Sequence, residues 1–562
     1  MGKKEIFSDT VLNLIKGFTL ENIEKYKEAN PKAILGKLLG SDKNLKTKIP
    51  ELLIEIESTI KKYSGLSKDE FKELHKKYTA HIKVSKKKKR TGLPELKKIN
   101  RPYGFRFPPS PSGPLHIGHT LPLLLNSEYA KKYNGKMVLR IEDTDPSNIS
   151  LDAYKQIQED AKWISNINFS ETIIQSEHIT DYQKYAEELI SMGHAYVCRC
   201  KSGEWKEYIE KKSDCPCRNL SIKEQEKRWH GMLTTYKEGT AVLRIKTDMK
   251  HNNPAIRDWP AFRISEEIHP LQGKKYRVWP LMNFSVAIDD HKSELTHIIR
   301  GKDHLTNAER QKYIYKYFNW WIPEYIHIGR INFEGIKVSA SEFSDGIKKG
   351  KYTGVDDPKL PTISAFRRRG LSPEAFINYI HELGPSKVDK TVSYEEFMKA
   401  IYAYNRKIIE PKANRYFIIE DPVEIEILGL PDIKSELPLH PDFPERGTRK
   451  FKKSHKFYVE KIDNPLKGKP CRLMHLCNFL DGKFISKDPD SNLKAKTIHW
   501  LPSSEEPVKV KVKMPHGKDI EAIGEHFLSN LKEGDIVQFE RKFFARYDGI
   551  NNNIYIFYQT HR

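Results

Sequence analysis

The sequence predicts a multidomain protein with a helical N-terminal region, a central α/β domain that carries an insertion, and an all-β C-terminal region. Three observations predict it. At 562 residues the chain is too long for one hydrophobic core, and about three or four domains are expected. From residue 101 strand-like and helix-like segments alternate, the mark of an α/β domain. After about residue 410 short, strictly alternating apolar runs take over, as in β-barrels.

In chain order, Val11, Leu14, Ile15 and Phe18 recur at i, i+3, i+4 and i+7, with Ser8 or Asp9 placed to cap a helix. Leu52, Ile54, Ile56 and Ile60 are compatible with a second helix. The block Lys86-Lys87-Lys88-Lys89-Arg90, followed by Thr91-Gly92-Leu93-Pro94, reads as an exposed linker. Such a block is either a solvated hinge or a segment that trails along a nucleic-acid backbone. Phe105 and Phe107 suggest a short strand, and Lys136–Ile141 reads as a buried one. Leu151–Ile164 and Asp181–Met192 are helical, the second closed by Gly193. Val286–His291, Thr296–His304 and Tyr325–Ile328 read as strands; charged residues at the ends of the first two belong at the carboxyl edge of a parallel sheet, where open α/β folds bind ligands. Residues 371–383 form a helix with Ser372 at the N-cap and Pro373 in the first turn. Val423–Ile427, Val508–Val512 and Ile554–Tyr558 are strands of a barrel or a pair of barrels.

Lys plus Arg is 97 and Asp plus Glu is 75, a formal net charge of +22. An excess of this size points to a polyanionic partner, of which nucleic acid is the usual one. No apolar run approaches the roughly 20 residues needed to span a bilayer. The N-terminus lacks the apolar core of a signal peptide, so a cytosolic protein is expected. Four of the six cysteines cluster as Cys198-Arg-Cys200 and Cys215-Pro-Cys217, enclosing 14 residues. Four thiolates in two close pairs suit tetrahedral zinc, although four free thiols are the alternative. Such a site leaves no open position for zinc catalysis. Cys471 and Cys477 lack such partners and read as core residues.

The run Arg106-Phe-Pro-Pro-Ser-Pro-Ser-Gly-Pro-Leu-His-Ile-Gly-His119 is the most informative in the chain. Its prolines forbid regular structure between the Phe105–Phe107 strand and a helix that begins near His116. A helix N-terminus carries unpaired N–H groups and attracts anions. His116 and His119, three apart, share a face and can both donate to one phosphate, and Gly118 leaves room for a flat ring.

This run resembles the first signature of class I aminoacyl-tRNA synthetases. Its Arg106 and Pro-Ser-Pro-Ser-Gly narrow the resemblance to the glutamyl and glutaminyl branch. Lys337-Val-Ser-Ala-Ser341 stands where that class carries a phosphate-clamping loop, with Ala340 in place of the usual second lysine and Glu342 following. Glu142-Asp-Thr-Asp-Pro146 and Arg300 to Asp303 also match, and the β-rich C-terminus fits the archaeal and eukaryotic glutamyl type. The resemblance implies a Rossmann-like class I catalytic domain at 99–345 with an insertion at about 195–280. It further implies a helical region at 1–98, a stem-contact region at 346–408 and anticodon-binding barrels at 409–562. It implies ATP and Mg²⁺, with His116, His119 and Lys337 as catalytic groups. Pro109, Ser110, Gly113, Gly118, Asp303, Ser339 and Ser341 join these three at the ATP. Arg106, Ser110, Glu142 and Arg300 would hold glutamate, and Cys198, Cys200, Cys215 and Cys217 a structural zinc near the tRNA acceptor end. Arg367-Arg368-Arg369, with Asp356-Asp357, would meet the tRNA or simply form a solvated helix end. Basic residues beside aromatics, as in Arg415-Tyr416-Phe417 and Arg541 to Tyr547, suit base stacking, with most of the aromatics expected in the barrel core. The expected partner is tRNA-Glu, with tRNA-Gln left open, and the expected state is a monomer. Met282-Asn283 replaces the Tyr-Asp pair of the glutaminyl type, which leaves the side-chain pocket open and glutaminyl specificity as one alternative; Ala340 and Glu342 leave a non-catalytic tRNA-binding paralogue as another.

Overall fold

The computed structural model describes residues 7–26, 28–79, 92–433, 435–463 and 468–562. It divides into two compact units, Met1–Lys89 and Arg90–Arg562. The basic run at 86–90 lies outside the described residues. The first unit contains the helices Asp9–Tyr26, Pro31–Ser41, Ile49–Tyr63 and Lys68–Thr79. Asn30 caps the second helix by accepting from Lys32 and Ala33 N–H, with Pro31 at its first position. Ile15, Phe18, Ile34, Leu38, Leu52 and Ile56 form the core of this unit. Ile54 departs from expectation: its side chain is 69% exposed, because the buried stripe runs Leu52, Ile56, Thr59, Tyr63 at helical spacing.

The second unit is built on parallel strands. Gly104–Phe107 pairs with Lys136–Ile141, which pairs with Glu171–Ile174. His297–Gly301 pairs with Glu324–Ile328. The two pieces meet where the Thr296 N–H donates to the Gly104 carbonyl (3.0 Å) and the Gly104 N–H donates to Thr296 Oγ1 (2.8 Å). The strand order therefore reverses between Gly104–Phe107 and His297–Gly301, and a crevice opens there at the carboxyl ends. Helix Ile117–Lys132 packs on this layer through Leu121, Leu124 and Leu125.

One expected strand is a helix. Val286–His291 lies within helix Met282–Lys292, whose residues from Asn283 to Asp290 are all buried. The insertion is a four-stranded antiparallel sheet of Ala195–Cys198, Val242–Ile245, Pro260–Ile264 and Val278–Pro280, with helices Ser202–Lys211 and Ile222–Thr234. No helix among the described residues is long and apolar enough to cross a membrane.

The C-terminal region is β-rich, as expected. Seven strands run in the order 414–416, 536–539, 543–551, 554–561, 508–513, 520–524 and 418–420. The two end strands are neighbours in sequence, so the sheet curls into a nearly closed barrel around Val510, Val512, Phe539 and Phe557. A second β core gathers around Trp500, Phe457 and Phe479 and includes Cys471 and Cys477. The aromatics Tyr416, Phe417, Phe543, Phe544 and Tyr547 are buried, and Lys542 pairs with Glu420 and Glu460.

The arginine triplet is tied into the fold at Arg368 and Arg369, while Arg367 stays half-exposed. Arg369 is 2% exposed; it donates from Nε to the Gln559 carbonyl (3.1 Å) and from Nη2 to the Thr560 carbonyl and the Tyr402 hydroxyl (both 2.8 Å). Arg368 pairs with Asp356 (2.8 Å) and Asp548 (2.9 Å). Arg367 faces Asp160 at 3.5 Å. The first two tie the parallel-sheet half of this unit to the last barrel strands.

Candidate active site

His116 is the N-cap of helix Ile117–Lys132. Its Nδ1 accepts from the Gly118 N–H (3.1 Å), and His119 Nδ1 accepts from the His116 N–H (3.1 Å). The rings lie 4.0 Å apart between centroids. Each ring spends Nδ1 as an acceptor, so in the neutral form each carries its proton on Nε2. Burial pushes the His116 imidazole down to about 4, and burial together with its neighbour pushes His119 down to about 3. Both rings are neutral donors at physiological pH. This corrects the expectation of a bare helix N-terminus. The Ile117 N–H goes to the Pro361 carbonyl (3.0 Å), the Gly118 N–H to His116 Nδ1 and the His119 N–H to the His116 carbonyl (2.8 Å). The imidazole Nε2–H groups, rather than the first backbone amides, are therefore the donors left at this helix end.

The two histidines line a cleft of about 650 Å³ together with Gly118, Gly301, Asp303, His304, Arg330 and Val338. Gly118 is exposed to it. A Cβ at Gly301 would stand 2.3 Å from Asp303 Oδ1, so a side chain there would displace the Asp303 carboxylate from its present position. Asp303 is held below the usual carboxylate range against partial burial by Arg330, whose Nη2 lies 2.6 Å away.

The Pro-rich turn reaches the same edge. The Glu142 N–H donates to the Pro109 carbonyl (2.9 Å), fixing Pro109 and Ser110 beside the end of strand Lys136–Ile141. Gly113 touches the expected phosphate loop, where a Cβ would approach the Ala340 carbonyl to 2.9 Å. Ala340 begins helix Ala340–Lys348, capped by Ser339, and Ser339 Oγ lies 3.1 Å from Ser341 Oγ. Lys337 is 78% exposed, and its ammonium is engaged by Glu342. Among the residues of its loop, Ile336 and Val338 line the cleft and Lys337 does not.

A cluster of buried charge lies beside the cleft. Arg106 Nε donates to Asp290 Oδ1 at 2.9 Å, and Arg140 Nη1 reaches the same oxygen at 2.6 Å. Arg140 Nη2 also holds Glu142 (3.0 Å). Burial opposes ionisation of Asp290, yet Arg106 and Arg140 keep it below its ordinary value. Burial raises Asp289 to about 6, and it accepts from Gln175 Nε2 (2.6 Å) and the Tyr182 hydroxyl (2.8 Å). Arg300 is different. It is 7% exposed, has no carboxylate partner among the described residues, and donates from Nη2 to Gln311 Oε1 at 2.9 Å. Its Nε is buried without a partner. Burial and the positive charge of Arg106 push its guanidinium down to about 10. An unpaired buried cation of this kind favours an incoming anion, and a planar guanidinium suits a carboxylate.

Arg106, Glu142 and Arg300 thus meet at one edge of the sheet with His116, His119 and Asp303. Arg140, Asn307 and Gln311 belong to the same neighbourhood and carry no site expectation in the sequence, whereas Asp290 and His304 lie among the charged segment ends expected at this edge. Asn307 and Gln311 do carry a sequence signal, since four residues apart on helix Leu305–Tyr317 they share a face.

The four cysteines converge in the insertion. All four sulfurs lie within 4.8 Å of one another, with Cys198–Cys215 at 4.0 Å and Cys200–Cys217 at 3.9 Å. Sulfurs about 2.3 Å from a tetrahedral zinc sit about 3.8 Å apart, so the donor set fits the metal.

Residues 104–411 match the model of the class I (E and Q) tRNA synthetase catalytic domain, and residues 413–499 and 497–548 match two anticodon-binding domain models of the same group. A glutamate–tRNA ligase of Methanobrevibacter smithii is 42% identical over 97% of this chain and 98% of its own length. The glutamate–tRNA ligases of Methanocaldococcus jannaschii and Pyrococcus abyssi are 41% and 42% identical; they cover 97% and 98% of this chain and 98% and 99% of their own.

Proposed function

The chain belongs to the glutamate and glutamine type of class I tRNA synthetase, and we propose that it attaches L-glutamate to tRNA-Glu through a glutamyl-adenylate. The observation that carries the glutamate assignment is Arg300, a buried guanidinium without a carboxylate partner among the described residues, one residue from the nucleotide cleft. A γ-carboxylate on Arg300 and Arg106 and an ammonium on Glu142 leave the α-carboxylate directed toward the cleft. There it attacks the α-phosphate of ATP in line, forming the adenylate and releasing pyrophosphate. The terminal ribose hydroxyl of the tRNA then takes the glutamyl group, so no protein nucleophile is needed. His116 and His119 donate Nε2–H to phosphate oxygens, and catalysis is positioning plus charge stabilisation. Pro109, Ser110, Gly113 and Gly118 shape the floor beneath the nucleotide, and Ser339 and Ser341 offer hydroxyls from the loop.

Lys337 supplies a phosphate contact only after leaving Glu342. Mg²⁺ arriving with the triphosphate would screen its charge; Asp303, the carboxylate among the described residues lining the cleft, is already held by Arg330. The cysteine cluster holds a structural zinc. The protein works as a monomer.

Glutamate-dependent ATP–pyrophosphate exchange, with and without tRNA, tests the reading. Exchange with glutamate and not glutamine is expected. Exchange with glutamine alone makes the enzyme glutaminyl, and exchange with neither removes the catalytic assignment. Charging of purified tRNA-Glu and tRNA-Gln with radiolabelled glutamate then sets the tRNA range.

A further inference from the structure

Arg300 does not stand alone. Its Nη2 donates to Gln311 Oε1 (2.9 Å), Gln311 Nε2 donates to Asn283 Oδ1 (3.3 Å), and Asn283 Nδ2 donates to Asn307 Oδ1 (3.2 Å). Asn307 Nδ2 then lies 3.1 Å from His304 Nδ1. Each amide accepts through oxygen and donates through nitrogen, so the three amide dipoles run one way. The chain begins on a guanidinium, which can only donate, and ends on a ring nitrogen, which must accept. Reversing the Gln311 or the Asn283 amide would set donor against donor and acceptor against acceptor in a buried setting. The network therefore has one register. It joins helix Met282–Lys292, strand His297–Gly301 and helix Leu305–Tyr317, and its far end, His304, lines the nucleotide cleft.

We infer that Gln311, Asn283 and Asn307 are positioning residues that hold the Arg300 guanidinium in the orientation that receives the substrate's side-chain carboxylate. The inference rests on the glutamate reading of the site. None of the three needs to touch a reacting atom. Without them, a cation with several rotatable bonds and an unpartnered Nε samples orientations that do not meet the carboxylate, and binding loses the benefit of preorganisation.

The full-length protein is assayed for glutamate-dependent exchange in the presence of tRNA. Asn307→Leu removes both hydrogen bonds at nearly constant volume. It is expected to raise the KM for glutamate about tenfold or more, with the KM for ATP within about twofold of wild type. Gln311→Glu separates positioning from stability. It gives Arg300 a resident carboxylate, so the thermal midpoint holds or rises while the KM for glutamate rises at least as far as in Asn307→Leu, because substrate now competes with a built-in anion. A glutamate KM within twofold of wild type in both variants overturns the inference. So does a parallel loss of glutamate KM, ATP KM and thermal midpoint, which marks a merely structural network. A wild-type enzyme that exchanges without glutamate dependence overturns the parent reading, and the inference with it.

Discussion

At the scale of single residues the two cleft histidines act through tautomer rather than charge. Backbone donors occupy both Nδ1 atoms, and burial holds both rings neutral, at about 4 for His116 and about 3 for His119. In an unfolded chain both titrate near 6.5. Between that pH and about 4 the unfolded chain binds protons that the folded protein refuses, so these two groups lower stability as pH falls through that window and have no effect above it. Nitrogen NMR of the imidazoles is expected to show unprotonated Nδ1 and protonated Nε2 from pH 5 to 8; a ring titrating near 6.5 would contradict the assignment. Replacing His119 by Ala deletes one of the two proposed phosphate donors. Exchange is expected to fall by about 100-fold or more, with tRNA affinity within twofold of wild type. A variant that loses tRNA affinity instead would mean that His119 serves the wrong substrate in this account.

Among the elements, the cysteine-bearing insertion is the one that the proposed zinc would hold together. Cys198 closes the strand Ala195–Cys198, while Cys215 and Cys217 sit in the loop before helix Ile222–Thr234, so a metal there pins that loop to the sheet. Purified protein is expected to carry about one equivalent of zinc. Chelation should raise protease sensitivity between residues 199 and 221; less than about half an equivalent, with unchanged proteolysis, argues for four free thiols. The spacing of these cysteines was readable because their ligating atoms are near in sequence. The same holds for the histidine helix, whose cap and turn are local chemistry. Helix Met282–Lys292 was misread for the opposite reason. With every residue from Asn283 to Asp290 buried, no polar face breaks the run, and its period is undefined. The Arg300 network was invisible as a network because its members lie on three elements that only the tertiary fold assembles. Arg367 to Arg369 misled in a related way: a basic triplet looks the same in sequence whether its partners are phosphates or the carbonyls and carboxylates of a distant barrel.

On the scale of the whole molecule, that triplet decides how the two ends of the second unit work together. The proposed chemistry sits at the edge of the parallel sheet, whereas residues 413–548 match anticodon-binding domains, so one tRNA must engage both at once. Arg369 is well placed to fix their relation. Its guanidinium crosses from the end of helix Ile363–Arg368 to the Gln559 and Thr560 carbonyls, and the Thr560 hydroxyl returns a hydrogen bond to the Arg369 carbonyl (2.6 Å). Gly370 follows with φ +81°, and a Cβ there would lie 2.4 Å from Ile536 Cδ1, so the turn and the barrel fit only with glycine. Arg369→Ala leaves two strand carbonyls and the Tyr402 hydroxyl short of a charged donor. At roughly 1–3 kcal/mol for each buried group left unsatisfied, a loss of about 3 kcal/mol at the junction is expected. Neither hydrophobic core is touched, so the predicted result is two separate thermal transitions in place of one, with tRNA charging impaired more than tRNA binding, since each half still holds its own part of the tRNA. A single transition, lowered but still cooperative, would mean that the other junction contacts, Arg368 with Asp548 and Tyr402 stacked on His561 with ring centroids 5.1 Å apart, suffice and that Arg369 does not set the geometry between the halves.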